Sequence, residues 1–375
     1  MKIFTFLLLT ILFSSTSFAV SKKKMMELVR HCNILYNPNE AGAGQAFVAA
    51  LEINLEDGTA IHTRENPSKI HMKDFFVEVT GGGKLTRHSK KGFRIRNSAS
   101  PINDPYVHLK VVMRERPDIF AVVKVPIHFR VHQNLWRSGA SGFSGSDGRN
   151  GERGLNGRHE YYRNGYGEDG SRGWEGWHGV NGAPGERGPH LQVYVSKVPF
   201  KRDNSELMKI QVTSNNRTLY TRYLDPTHGS IRISAMGGSG GSGGDGGNGG
   251  DDGNGGRGSY EVRKDDRCYG QDGYGGDGGD GGHGGNGGWG GPGGDGGQID
   301  VYFASGTKFF QNRMSFNVSG GSGGSAGCGG RGGSYGCAGK GGKGSGRNGY
   351  RGNRGYDGQR GPSGNPGNVY FHDWN

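Results

Sequence analysis

Glycine at every third position is the feature that most limits how this chain can fold. Glycine accounts for 79 of the 375 residues, and it keeps a strict phase in runs such as GGDGGDGGHGGNGGWGGPGGDGG. A period of three matches neither an α-helix, with about 3.6 residues per turn, nor a β-strand, with a period of about two. It matches the left-handed polyproline-II helix, which has about three residues per turn and no internal hydrogen bonds.

The glycine triplets fall into six segments, which we call arms 1 to 6. The arms span residues 139–157, 167–188, 238–256, 273–297, 321–342 and 346–367. The sequences that follow arms 2, 4 and 6 match one another: GAPGERGPHLQVYV, GPGGDGGQIDVYF and GNPGNVYF. They indicate a threefold repeat of strand, arm, break, arm and strand over about residues 127–198, 230–303 and 314–374.

Arms of near-equal length predict side-by-side packing. We expect residues 136–375 to form a six-helix antiparallel polyglycine-II bundle on β-strand bases. Arms 3, 4 and 5 are written G-G-x and are expected inside; arms 1, 2 and 6 are mostly G-x-x and are expected outside. A disordered linker and a collagen triple helix are the alternatives, but a linker needs no strict phase, and collagen needs far more than 13 prolines.

The N-terminal part has a different composition. Residues 1–19 are typical of a signal peptide, with Lys2, an apolar run and Ser17-Phe18-Ala19 before the expected cleavage. Residues 20–135 are predicted to form an all-β sandwich, immunoglobulin-like by pattern. The predicted strands are Ala46–Asp57, Asp74–Thr80, Gly92–Arg96, Tyr106–Arg116 and Ile119–Val131.

Four cysteines in an exported chain predict disulfide bonds. Cys328 and Cys337 are nine residues apart on one arm, about 28 Å if the arm is straight, which is beyond disulfide reach. Either the arm turns near Tyr335 or each cysteine bonds elsewhere, and the pair Cys268–Cys337 is favoured because both residues fall towards the distal end of the arms. No cysteine spacing fits zinc, and we expect neither metal nor cofactor.

The sequence contains no motif that would place catalytic residues. There is no GxxxxGK[ST] or HExxH, and the matches to G-x-S-x-G and G-x-G-x-x-G arise automatically in glycine triplets. A calcium-binding nonapeptide is disfavoured because Gly282 stands where an apolar residue is needed. We therefore expect a protein that is not an enzyme.

The breaks between paired arms are the expected binding loops, because loops on a rigid scaffold commonly carry function. They offer these aromatic and basic candidates: His159, Tyr161, Tyr162, Arg163, Tyr260, Arg263, Lys264, Arg267 and Tyr269. Trp174 and Trp177, three residues apart on arm 2, are a candidate glycan platform. The alternatives are polar residues that loops require anyway and tryptophans that cover neighbouring glycines.

The triplet runs resemble those of polyglycine-II bundle proteins, a group that includes bacteriophage tail-fibre adhesin tips and glycine-rich insect antifreeze proteins. The adhesins imply a rigid stalk with receptor-binding loops, whereas the antifreeze proteins imply an uncharged face that this chain lacks. With a formal charge of +12, the expected partners are a cell-surface glycan, an anionic envelope polymer or a surface protein, not nucleic acid. We expect a secreted, cell-surface or periplasmic protein with no membrane span after cleavage, and a structural envelope or matrix component as the alternative to an adhesin.

Overall fold

The structure is a computed structural model that describes residues 21–63, 70–89, 92–161, 165–260, 263–264, 267–268 and 272–374. The predicted signal peptide lies outside these residues. The chain divides into two compact units. The first contains Met1–Val131 and Phe200–Ser205, and the second contains His132–Pro199 and Glu206–Asn375.

The first unit contains two antiparallel sheets. Its elements are α1 (Lys22–Glu27), β1 (Val29–Tyr36), β2 (Ala46–Leu55), β3 (Ala60–His62), β4 (Phe75–Gly81), β5 (Gly83–His88), β6 (Phe93–Asn97), β7 (Tyr106–Met113) and β8 (Phe120–Pro126). One sheet has the order β1-β2-β6-β5, with β3 paired to β2, and the other has the order β4-β7-β8. Without β3, this is the strand order of an immunoglobulin constant-type sandwich.

Alternating apolar residues explain the buried faces of these sheets. Phe47 and Ile95 in one sheet and Phe75 and Leu109 in the other are fully buried. The predicted strand Ile119–Val131 is shorter in the structure, where β8 ends at Pro126. Proline has no N–H to continue the ladder, so a strand often stops there.

The second unit is built on two sheets that hold the ends of the arms. Its strands are β9 (His132–Ser138), β10 (His190–Phe200), β11 (Ser205–Ser214), β12 (Arg217–Leu224), β13 (Ser230–Met236), β14 (Arg263–Lys264), β15 (Arg267–Cys268), β16 (Gln298–Ala304), β17 (Met314–Asn317) and β18 (Asn368–Trp374). The leading strands β9, β13 and β17 form one parallel sheet. The outgoing strands β10, β16 and β18 pair in parallel in a second sheet, which also contains β11 and β12.

The prediction of a six-helix polyglycine-II bundle is wrong. Within the described ranges, helical structure is confined to α1 and to three short 3-10 segments, and the regular secondary structure is β-sheet. The arms are extended segments to which no helix is assigned. The physical reason is that the arms are extended segments, ordered by N–H groups that donate to other arms and by the β-strands at their ends.

The arms are joined by backbone hydrogen bonds that recur at every third residue. In arm 3, Gly241 N–H donates to the Ala183 carbonyl of arm 2, and Gly243 N–H donates to the Ser325 carbonyl of arm 5. Through such bonds arm 3 contacts arms 1, 2, 4 and 5, and arm 4 contacts arms 2, 3, 5 and 6. Arms 3 and 4 are therefore the inner ones, and arm 5, which was expected inside, lies at an edge with arm 6.

Side chains of the non-glycine positions form a second ladder, which the sequence did not reveal. Asp245 N–H donates to Asp147 Oδ1 at 2.8 Å, and these residues are 98 positions apart, the same separation as the strand partners Ser230 and His132. Cys328 N–H donates to Asp245 Oδ1 at 2.7 Å. The register set in the leading sheet thus continues along the arms, and the aspartates and asparagines serve as acceptors for it.

Candidate binding surfaces

Three described aromatic residues of the predicted binding loops lie near the ends of arms 1 and 3. His159 Nδ1 accepts the Arg257 N–H at 2.9 Å, so this nitrogen belongs to the side-chain ladder. The His159 ring contacts the Tyr161 ring edge-to-face, with centroids 6.1 Å apart. Tyr161 and Tyr260 are exposed. His159 is exposed as well, so these three rings are the accessible part of the predicted loop site among the residues that the structure describes.

The second break is a short β-hairpin in its backbone. In it Arg263 pairs with Cys268, and Lys264 pairs with Arg267. Tyr162, Arg163 and Tyr269 lie outside the described residues, as do the side chains of the four hairpin residues.

The predicted disulfide Cys268–Cys337 is wrong, because Cys337 is a free, exposed thiol. Cys328 is also free and exposed, and Cys32 is free and buried. Cys328 N–H donates to Asp245 Oδ1 and Cys337 N–H donates to Asn254 Oδ1. Both bonds join residues that are 83 positions apart, so arm 5 keeps the same register with arm 3 from Cys328 to Cys337. Arm 5 is therefore straight over this stretch, and its two thiols are far apart.

Arms 1 and 2 together form an exposed edge rich in apolar side chains. We call the following residues the apolar edge: Phe143, Leu155, Trp174, Trp177 and Val180. Antiparallel backbone bonds hold them at fixed heights: Ser171 N–H donates to the Leu155 carbonyl, and Ala183 N–H donates to the Phe143 carbonyl, each at 2.8 Å. Phe143 is 86% exposed, and Trp174 and Trp177 are 68% and 67% exposed. Most of each tryptophan ring is therefore open to solvent.

A shallow depression of about 590 Å³ lies at the tryptophan pair. It is lined by Trp174, Glu175, Gly176, Trp177 and His178. His178 Nδ1 accepts the Asn286 N–H at 2.8 Å, which ties this part of arm 2 to arm 4. Gly176 leaves no room behind it, since a Cβ there would stand 2.0 Å from the Gly247 carbonyl oxygen. The floor of the depression is thus fixed by backbone packing.

A polar and aromatic cluster on the outgoing sheet was not found from the sequence. Asp300 accepts hydrogen bonds from His190 Nε2, from His372 Nε2 at 3.4 Å and from Gln298 Nε2 at 3.0 Å. Tyr302 stacks against His372, with centroids 4.8 Å apart. Burial raises the pKa of Asp300, but the hydrogen bonds from His190, Gln298 and His372 outweigh it and hold that pKa below its ordinary value.

The Asp300 cluster ties together β10, β16 and β18. A carboxylate that already accepts from three side chains has little capacity left for a ligand. We therefore interpret the cluster as structural, with hydrogen bonds that hold the three strands together. The sequence feature that could have predicted the cluster is the similarity of HLQVYV, GQIDVYF and NVYFHDW. When these three segments are aligned as paired strands, their polar residues become neighbours.

Comparisons with protein-family models, with curated proteins and with solved structures returned no match. Among the described residues, no cluster of three or more histidine, cysteine, aspartate or glutamate side chains is arranged to hold a metal ion. None of the helices in the described part of the chain has the length and apolar character needed to cross a membrane.

Proposed function

We propose that this protein is a non-enzymatic surface-recognition protein, an adhesin in the broad sense, that binds cell-surface glycans through the apolar edge. The observation that carries this proposal is the exposure of Trp174 and Trp177 on a backbone bonded to neighbouring arms along its length. Large apolar side chains exposed together commonly mark a binding surface.

The spacing and surroundings of the tryptophans suit a sugar chain. Residues three apart in an extended segment are separated by at most about 10 Å, so successive rings face successive parts of a linear ligand. Aromatic rings pack against the apolar faces of sugars, while polar groups bind the hydroxyls. Glu175 and His178 stand beside the rings in the same depression.

Rigidity supports the same function. The Trp174 N–H donates to the Glu152 carbonyl at 2.9 Å, and the Trp177 N–H donates to the Arg149 carbonyl at 2.8 Å. A surface that is ordered before binding loses less conformational entropy when the ligand arrives. The exposed rings Tyr161 and Tyr260 offer a second contact region near the ends of the arms.

The test is glycan-array and whole-cell binding with the mature protein and the double variant Trp174→Ala/Trp177→Ala. Removing the two central aromatic contacts should weaken binding by about 30-fold or more, since a loss of about 2 kcal/mol from the pair corresponds to about 30-fold and the two contributions need not add. Trp289→Ala is the matched control, because Trp289 is also exposed but lies on arm 4. Equal binding by the double variant and the control would refute a site at the apolar edge.

A structural envelope or extracellular-matrix role is the second candidate. The observation that favours it is the cross-linking of all six arms by backbone bonds, which makes a stiff element without any ligand. In that case the tryptophan variant would keep the envelope phenotype of the wild type, while a glycine-to-alanine change inside the arms would abolish it.

A further inference from the structure

Charge is segregated among the arms. Arms 3 and 4 carry six aspartates and no lysine or arginine. Arms 5 and 6 carry one acidic residue, Asp357, and six basic residues, which we call the basic edge: Arg331, Lys340, Arg347, Arg351, Arg354 and Arg360. Because arm 6 is bonded only to arms 4 and 5, these charges collect on the side of the unit away from the apolar edge.

The single acid of these arms is already occupied. Asp357 Oδ1 accepts the Gly329 N–H at 2.7 Å and the Arg354 guanidinium at 2.8 Å. Within the described part of the chain, the side chains of Arg331, Arg351 and Arg360 take part in no hydrogen bond or ion pair. They are exposed, so their guanidinium groups are available to a ligand.

Two rows of the side-chain ladder offer no acceptor to a further arm from a second copy. In arms 1 and 3 the ladder acceptors are residues such as Asn150 and Asn248, and the latter accepts the Arg331 N–H at 2.9 Å. The next acceptor in that row would have to be Arg331 itself, and an arginine side chain only donates. Cys328 replaces the acceptor in the row of Asp147 and Asp245 in the same way. In these two rows the side-chain ladder therefore ends at arm 5.

We propose that the basic edge binds an acidic polysaccharide. The available guanidinium groups of Arg351 and Arg360 lie nine residues apart on arm 6, at most about 32 Å along the arm. A DNA strand carries a charge about every 3.4 Å, a much closer spacing than that of these arginines. A polysaccharide whose carboxylate or sulfate groups are separated by neutral sugars fits better, and guanidinium groups bind such oxyanions through paired hydrogen bonds.

Aromatic rings between the arginines support the same ligand class. Tyr350 and Tyr356 are 80% and 81% exposed on arm 6, and their N–H groups are bonded to Asp280 and Asn286, which fixes their heights. Rings at these positions offer apolar faces to the sugars between two charged groups. The inference rests on the proposed function for its biological setting, but it concerns a different surface and a charged ligand.

The experiment measures binding of the mature protein to immobilised heparin and polygalacturonate at several salt concentrations. The variant is Arg351→Gln/Arg360→Gln, which leaves the bonded Arg354 in place. The control, Arg149→Gln/Arg153→Gln on arm 1, removes the same charge elsewhere. We expect salt-dependent binding that the first variant weakens about tenfold and the control changes less than twofold.

Four outcomes decide the matter. Equal losses in the two variants would overturn the proposal, because only net charge would then matter. Absence of wild-type binding, or tighter binding of single-stranded DNA that depends on the same two arginines, would also overturn it. A loss confined to Arg351→Gln/Arg360→Gln, with an unchanged unfolding midpoint and with Trp174→Ala/Trp177→Ala still binding, would support it even if the apolar edge bound no glycan.

Discussion

The close approach of the arms predicts that a single methyl group on an inner glycine will be strongly destabilising. In Gly282→Ala the new Cβ would stand 1.9 Å from the Trp174 carbonyl oxygen, whereas ordinary contact begins at 3.4 Å. Arm 2 or arm 4 would have to move by about 1.5 Å. The hydrogen bonds from Gly282 N–H to Gly250, from Gly333 N–H to Gly282 and from Gly250 N–H to Trp174 all depend on this spacing.

The expected cost combines overpacking with weakened hydrogen bonds. Overpacking costs about 1–3 kcal/mol, and three backbone bonds contribute about 0.5–1.5 kcal/mol each, so Gly282→Ala should lose roughly 3–7 kcal/mol of unfolding free energy. Urea unfolding followed by tryptophan fluorescence measures this loss. Gly344→Ala is the matched control, because its Cβ would meet only the Tyr274 ring, at 3.2 Å. Midpoints for the two variants that agree within error would refute the reasoning.

Three further predictions concern single side chains. Asp245→Ala should lose about 0.5–1.5 kcal/mol, because the Cys328 N–H loses its acceptor, whereas Asp245→Asn should unfold at the same urea concentration as the wild type. The pKa of Asp300 is lowered in the folded protein, so its carboxylate stabilises the fold above about pH 4 and loses this effect as pH falls through the folded-state pKa. Urea unfolding of wild type and Asp300→Asn from pH 7 to pH 3 should therefore show a difference in stability that shrinks as the pH falls. A difference that stays constant would contradict this. Iodoacetamide at pH 8 should label Cys328 and Cys337 quickly but Cys32 only on unfolding, because Cys32 is buried and burial raises the pKa of its thiol to about 11. Peptide mapping measures the labelling, and early labelling of Cys32 in the folded protein would contradict the prediction.

The arms and outgoing strands were predictable because their signals are local. β16 was expected at Gln298–Phe303 and spans Gln298–Ala304, since apolar alternation begins where the triplets stop. β9 was missed because HQNLWRS is largely polar, and its pairing partner β13 lies 98 residues away. The helical bundle was a wrong prediction for a related reason. A period of three shows which residues share a face, but it does not show whether the segment is a helix or an extended segment bonded to its neighbours.

The apolar edge was only partly predictable. Trp174 and Trp177 stood out because they are three residues apart, but Phe143 and Leu155 belong to another arm. They join the tryptophans only through antiparallel bonds such as Ser171 N–H to the Leu155 carbonyl. The ladder role of Asp245 was hidden because an exposed aspartate among glycines looks the same whether it binds water or a distant N–H group.

A row of prolines shows how closely the N–H groups of the arms are matched to hydrogen-bond acceptors. Gly185 N–H donates to the Pro292 carbonyl and Gly293 N–H donates to the Pro362 carbonyl, which places Pro184, Pro292 and Pro362 in one row across arms 2, 4 and 6. In neighbouring rows an asparagine or aspartate accepts the next arm's N–H, as Asn181 does for Trp289 and Asp295 does for Asn365. A proline side chain has no acceptor, but the next proline has no N–H to satisfy. The prolines look like breaks in the ladder, but they leave no N–H group without an acceptor and therefore follow the same rule.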